Sequence, residues 1–342
     1  MSKKKIIALI SCVMFTIGVI SGCGNKTATT TSTDTAKQET PAMTLRMADN
    51  QPEGYPTVLG DREFAKQLEE KTNGRIKVEV YIGGQLGDEN STTEQVQFGA
   101  IDAIRTSCSQ LAQFNNLMGA VAQPYLFKDK DQMFRALEGD AGKKLLDSLE
   151  SDSKMVGLAW LDAGSRNFYN TKKDVKTPDD LKGLKIRVQE SKPMLDLVQA
   201  LGASPTPMAY GDVYSALQTG VIDGAENNWP SYLSTNHYEV ATHITVDEHT
   251  RVPELMVMSK MTWDKISTDD QKLVVEAAKA GAEVEKTEWL KQEKEAEDKI
   301  AAAGKVTITK LDDKQAFQDK VKSLYDQHPE WKEITDLIIN TK

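Results

Sequence analysis

Cysteine is nearly absent, with three in 342 residues. Cys12 and Cys23 lie close to the N-terminus, so Cys108 stands alone in the body and no internal disulfide can form there. Histidine is also scarce, at four. His237, His243 and His249 recur every six residues, a spacing that stacks no ligands on one helix face. There is no His-Glu-x-x-His, and no metal is expected. Gly83-Gly84-Gln85-Leu86-Gly87 lacks both the dinucleotide spacing and the P-loop lysine, so no nucleotide and no other cofactor is expected. Ser151-Asp152-Ser153-Lys154 has the spacing of a serine–lysine hydrolase without its companion motifs. Positive charge is short too: 42 Lys and Arg face 51 Asp and Glu, a net charge of -9, which argues against nucleic acid as a partner.

One long apolar run exists, and it is at the N-terminus. Lys3-Lys4-Lys5 precede the apolar stretch from Ile6 to Ile20, shorter than the roughly 20 residues of a membrane-spanning helix. Ile20-Ser21-Gly22-Cys23 then reads as a lipobox. Residues 1–22 are expected to be a lipoprotein signal peptide, with lipid on Cys23. Two acyl chains suffice for stable anchoring. The excised segment holds three lysines and no acid, so the mature chain is more acidic by three charges. Residues 23–42 are rich in Thr, Ser and Lys and read as a flexible tether. The expected place is outside the membrane, held to its surface, at the cell surface or in a periplasm.

From Met43 onward, strand and helix patterns alternate, which predicts parallel α/β layers. The phrase Gln97-Phe-Gly-Ala-Ile-Asp102 returns as Gln218-Thr-Gly-Val-Ile-Asp223, each time a helix ending at Gly before a strand that begins Ile-Asp. Two copies predict two lobes of similar plan. The expected division is 43–164 with about 253–292 as lobe I, and 165–252 with about 293–342 as lobe II, crossing at Ala163-Gly-Ser-Arg166. No proline interrupts Thr268 to Ala303, so one helix of roughly 50 Å is expected to span both lobes, opened by a capping box at Thr268-Asp-Asp-Gln271.

Ligands in open α/β sheets sit beyond the carboxyl ends of strands. That directs attention to Arg105–Ser107 in one lobe, and to Gln189 and Glu226–Trp229 in the other. Leu184, Ile186 and Val188 share one side of a strand and Lys185 and Arg187 the other, behind the cap Thr177-Pro-Asp-Asp180. Arg187 is thus a cation on a fixed platform, suited to gripping a carboxylate with two bonds. Spacing alone leaves a surface ion pair equally open. Arg166, Asn227, Asn228 and Tyr210 complete a set that reads as recognition of an organic anion or sugar acid, with no catalytic constellation.

These residues resemble the extracytoplasmic solute-binding proteins of TRAP transporters. The matching phrases are Ile76-Lys-Val-Glu-Val-Tyr81, Gln85-Leu-Gly-Asp88, Pro124-Tyr-Leu-Phe127, Pro178-Asp-Asp-Leu-Lys-Gly-Leu-Lys-Ile-Arg-Val188, Leu201-Gly-Ala203, Val213-Tyr-Ser-Ala-Leu-Gln-Thr-Gly-Val-Ile-Asp-Gly224 and Glu226-Asn227. The resemblance runs from about Met43 to the C-terminus. It implies a two-lobed periplasmic-binding-protein-like fold with a cleft, crossing strands and a long spanning helix. It implies a salt bridge from Arg187 to the ligand carboxylate, assisted by Arg166 and Asn227, with Tyr210 as the aromatic neighbour. Asn50, Glu89 and Ser107 would meet the rest of the ligand, and Arg105 would be the cation for a second carboxylate, if one is present. It implies a monomer that is not an enzyme and that delivers its cargo to small and large integral subunits of an ion-driven importer. Asp223 to Tyr232, with His237-Tyr-Glu-Val240 and Asp247-Glu-His249, is similar to the hexuronate-binding branch, so glucuronate or galacturonate is the expected ligand. A C4-dicarboxylate is the alternative within the family, and a secreted enzyme acting on acidic sugars is the alternative outside it.

Overall fold

The computed structural model describes residues 42–342. The signal peptide, Cys23 and nearly all of the tether lie outside the described residues. The described residues form eleven strands: β1 (Met43–Ala48), β2 (Ile76–Tyr81), β3 (Ala103–Ser107), β4 (Met155–Leu161), β5 (Arg166–Asn170), β6 (Lys185–Val188), β7 (Ser204–Pro207), β8 (Gly224–Asn227), β9 (His243–Thr250), β10 (Glu254–Ser259) and β11 (Thr307–Lys310). They form two sheets, ordered β2-β1-β3-β10-β4 and β11-β9-β5-β8-β6-β7.

Both sheets are mixed: the parallel layers expected from the alternation also carry antiparallel crossing strands. β1 runs parallel to β2 and β3, whereas β10 is antiparallel to β3 and β4. In the second sheet β6 is parallel to β7 and β8, whereas β5 is antiparallel to β8 and β9. The cause is the crossing. The chain passes from β4 to β5 through 162–165, and returns from β9 to β10 through 251–253. Each crossing strand therefore enters the other sheet from the cleft side. Arg251 pins the two crossings together: Nη1 donates to Asp162 Oδ1 at 3.0 Å and Nη2 to Ser165 Oγ at 3.1 Å.

The repeated phrase builds the same joint twice. Gly99 and Gly220 close their helices at φ of +72° and +74°, where a Cβ would be strained. Asp102 then donates its N–H to Arg46 O, and its carboxylate accepts from Arg46 N at 2.8 Å. Asp223 does likewise with Lys185, its N–H donating to Lys185 O and its carboxylate accepting from Lys185 N at 3.0 Å. One aspartate thus ties β1 to β3 and the other β6 to β8.

The long helix spans Thr268–Ala303, about 54 Å at 1.5 Å per residue. Its cap is one residue earlier than expected: Ser267 Oγ accepts from Asp270 N–H. Its buried face recurs with helical period and serves three clusters in turn. Val274, Ala277, Ala278 and Ala282 pack with Leu45, Met47 and Met256 of the first sheet. Trp289 packs with Tyr55, Val58 and Ala163 at the crossing. Ala296 and Ile300 join Tyr169, Ala225 and Ile244 of the second sheet. One correction concerns the C-terminus. The helix Lys332–Ile339 sets Ile334 and Ile338 into the core of the first-sheet half, beside Leu145 and Leu149, rather than with lobe II. The preceding segment does pack with the second sheet, through Phe317 and Val321 against Phe168 and Leu197.

Helix Pro56–Lys71 crosses the long helix at Gly60 and Gly281, where a Cβ on Gly281 would lie 2.5 Å from Gly60 O. Overfilling a packed contact costs about 1–3 kcal/mol. Gly281→Ala is expected to lower the thermal midpoint by several degrees in a circular-dichroism melt. Lys279→Ala, on the exposed face of the same helix, is expected to leave it unchanged.

Candidate functional site: a cavity with one unpaired arginine

The carboxyl ends of β1, β3, β6 and β8 converge on the cleft. Because β5 and β10 run the other way, their first residues, Arg166 and Glu254, arrive at the same place. The result is a narrow polar cavity of about 20 Å³. Asn50, Gln51, Glu89, Arg105 and Glu254 line it from the first sheet's half, and Arg166, Arg187, Gln189, Tyr210, Asn227, Asn228 and Ser231 from the second's. The halves are latched across it: Tyr55 and Ser231 hydroxyls lie 2.9 Å apart, and Ser109 Oγ donates to Ser191 Oγ at 2.9 Å.

Of the residues selected from sequence, Arg187, Arg166, Asn227, Tyr210, Asn50, Glu89, Arg105 and Gln189 line this cavity. Ser107 does not. Its hydroxyl accepts from Ser109 N–H to cap the next turn, while its own N–H donates to Glu89. Gln51, Ser231 and Glu254 were missed. Glu254 had one signal, an acid heading the otherwise apolar strand Glu-Leu-Met-Val-Met-Ser.

The three arginines are held differently. Arg105 is buried among acids: it is paired with Asp49, lies 3.1 Å from Glu254 and 3.9 Å from Glu89, and also contacts Asn50 Oδ1. Arg166 grips Glu226: Nη2 donates to Oε1 at 2.8 Å and to the carbonyl at 2.9 Å, and Nε donates to Oε2. Arg187 has no acid partner among the described residues. Its Nε and Nη2 donate only to Met208 O, at 2.9 and 2.7 Å, and the Tyr210 ring centroid lies 6.0 Å from its guanidinium carbon. The ionisation follows the pairing. Burial opposes all three charges, yet Arg105 and Arg166 are held above the usual arginine value by their acids. Arg187 is pushed below it, by burial first and by Arg166.

The remaining walls hold buried polar atoms without hydrogen-bond partners in the protein: Gln51 Oε1, Gln189 Oε1, Arg105 Nε and the Tyr210 hydroxyl. Buried polar atoms are nearly always satisfied by protein or ordered water, so a cluster of exceptions in one cavity calls for a polar occupant. Burial, with Glu89 and Asp49 adding and Arg105 opposing, raises the Glu254 carboxyl to about 7.

Behind Arg166 a buried relay continues. His249 Nδ1 lies 2.9 Å from Asp247 and Nε2 3.5 Å from Glu226, with the Phe168 ring stacked at 4.2 Å. The other histidines are dispersed: His237 Nδ1 meets the Tyr169 hydroxyl at 2.8 Å, and His243 Nδ1 meets Asp174 at 2.7 Å. Ser151 and Lys154 end a helix at the surface, far from a catalytic arrangement; Ser151 Oγ bonds Asp152.

Burial would lower His249, yet Asp247 and Glu226 hold it at about 9. Burial would raise Glu226, yet Arg166 and His249 hold it at about 2. A base whose pKa rises on folding stabilises fully below its unfolded value of 6.5 and loses that as pH climbs through 9. Glu226 stabilises above 4.5 and loses its share as pH falls through 2. Chemical denaturation from pH 6 to 10 should therefore show a loss of stability in the wild type that His249→Gln lacks.

The family model "Bacterial extracellular solute-binding protein, family 7" (DctP) matches residues 47–331. Among solved structures, a TRAP periplasmic solute-binding protein of Bradyrhizobium sp. with bound D-galacturonate is similar at 41% identity and TM-score 0.83, covering 87% of this chain and 98% of that one. One from Chromohalobacter salexigens with bound D-glucuronate is similar at 37% and 0.84, covering 87% and 100%. One from Sulfurospirillum deleyianum with bound succinate is similar at 28% and 0.83, covering 88% and 100%. The two-sheet mixed α/β architecture and the long shared helix are those expected of such proteins, and the family consists of binding proteins rather than enzymes. With a match that spans nearly all of the described fold, the chain belongs to the DctP family, the extracytoplasmic solute-binding proteins of TRAP transporters.

Proposed function

We propose that this protein captures a hexuronate, glucuronate or galacturonate, outside the membrane and hands it to the integral subunits of a TRAP importer. The observation that carries the reading is Arg187, a buried guanidinium aimed at a polar cavity with no acid of its own. An unpaired buried cation is costly, and a ligand carboxylate removes that cost. Asn227 and Tyr210 stand beside it for the rest of the acid group. Arg166 adds positive potential but is already neutralised by Glu226, so its part is to assist rather than to anchor. The solved relatives with bound hexuronates support the ligand class. The dicarboxylate alternative is weakened at Arg105, the cation available for a second carboxylate, because Asp49, Glu254 and Glu89 already surround it. No catalytic step is assigned, and the protein acts as a monomer tethered by lipid on Cys23.

Calorimetric titration of D-glucuronate and D-galacturonate into the wild type is expected to show tight binding. Removing one half of a buried charge pair costs about 3–5 kcal/mol, so Arg187→Ala should weaken binding by at least a hundredfold with the melt intact. Unchanged affinity would sink the assignment. Separately, Cys23→Ser is expected to move the protein from the membrane fraction to the soluble exported fraction in cells. Retention in the membrane fraction would refute the anchor.

A further inference from the structure

The cavity is not neutral by wall. Its lining residues and their direct ion-pair partners comprise Arg105, Arg166 and Arg187 against Asp49, Glu89, Glu226 and Glu254. Arg166 and Glu226 cancel on the second-sheet side, which leaves Arg187 as net positive there. On the first-sheet side three acids surround Arg105 alone. On this side Gln51 Oε1 is a buried acceptor without a donor, and Glu254 Oε2 has Arg105 Nη1 at 3.1 Å. A ligand that satisfies this cavity brings one carboxylate to Arg187 and hydroxyl donors to the other wall. A second carboxylate would meet acids and acceptors.

We propose that Glu254 is the specificity-determining residue of this site: as a carboxylate it accepts hydrogen bonds from the ligand's hydroxyls and repels a second acid group. The inference rests on the sugar-acid reading above and names the group that enforces it. The placement is a consequence of the fold. β10 is the strand that returns antiparallel into the first sheet, so its first residue opens onto the cleft beside Ser107 and Leu161. Arg105 Nη1 holds the carboxylate through Oε2, at 3.1 Å, outside hydrogen-bond geometry, and the residue lines the cavity.

The charge state follows from the surroundings. Glu254 is faced by Arg105 on β3, Glu89 on its helix, Asp49 beyond β1 and Arg166 on β5. Tyr55, Asp61, Cys108 and Glu285 pack near enough to feel its charge. Asp61 and Glu285 are held well above the usual carboxylate range, by burial first. Glu254, at about 7, changes its charge near neutrality. Hydroxyl donors favour its ionised form, so ligand binding and proton release are linked. For one group titrating near 7, affinity should rise about tenfold from pH 6 to pH 8. The sugar acid's own carboxyl is ionised throughout that window.

The test is calorimetry of the wild type and Glu254→Gln with D-glucuronate and with succinate, at pH 6 and pH 8. The wild type is expected to prefer D-glucuronate and to bind it about tenfold more tightly at pH 8. Glu254→Gln keeps the shape and removes the charge. It is expected to lower the glucuronate-to-succinate affinity ratio by roughly tenfold or more and to flatten the pH profile, since a hydrogen bond to a charged group is stronger than one to a neutral group. A counter-ion to Arg105 with no ligand contact would shift both ligands together, and that result would overturn the inference. The wild-type pH profile tests it even if the variant fails to fold, and a flat profile would overturn it. A wild type that binds succinate and no sugar acid would bring down the hexuronate reading and this inference together. A wild type that binds D-glucuronate with an unchanged ratio in the variant would bring down this inference alone.

Discussion

The constraint on which the site depends is the cost of keeping a guanidinium out of water without an acid beside it. Arg187 sits at 4% exposure on β6, satisfied only by the carbonyl of Met208. Arg105 and Arg166 show what the fold does with a buried arginine when no vacancy is intended, since each is locked to carboxylates. The difference between a paired and an unpaired buried charge amounts to several kcal/mol. That difference separates Arg187, the proposed anchor, from the other two arginines more sharply than position in the cavity does.

The rest of the architecture delivers groups to that point. Two copies of one joint, at Asp102 and Asp223, set two sheets with their carboxyl ends toward a shared cleft. The crossing strands add Arg166 and Glu254 from the opposite direction, and Arg251 ties the crossings together through Asp162 and Ser165. The long helix lends its buried face to both sheets and to the crossing between them. Side chains from both halves, Tyr55 with Ser231 and Ser109 with Ser191, latch across the cleft. A cavity built in this way has two preformed walls, each with its own charge character.

Much of this was legible in the chain. The strand at Arg187 could be read from a two-residue alternation behind a Thr-Pro-Asp-Asp cap, and Asp180 does accept from the Thr177 N–H. The boundaries of the long helix could be read from the run without proline. The unreadable parts share a cause. Ser107 stands at a strand end as expected, yet its hydroxyl turns back to cap the following helix. Arg166 was grouped with Arg187 as a cation assisting at the ligand carboxylate, yet Glu226 on the neighbouring strand is already paired with it. The last helix was placed with the second lobe by chain order, yet its apolar face fits the first.

The sequence by itself determined where elements begin and end, which face of each is buried, and that two similar units are joined. Those features depend on neighbours within a few residues: capping, side-chain period, and glycine where φ is positive. Only the tertiary structure decided which of three buried arginines is left without an acid, and that Glu254 faces the same cavity. Charge compensation in a low-dielectric interior depends on groups brought within a few ångströms from distant parts of the chain, and no local pattern records that meeting.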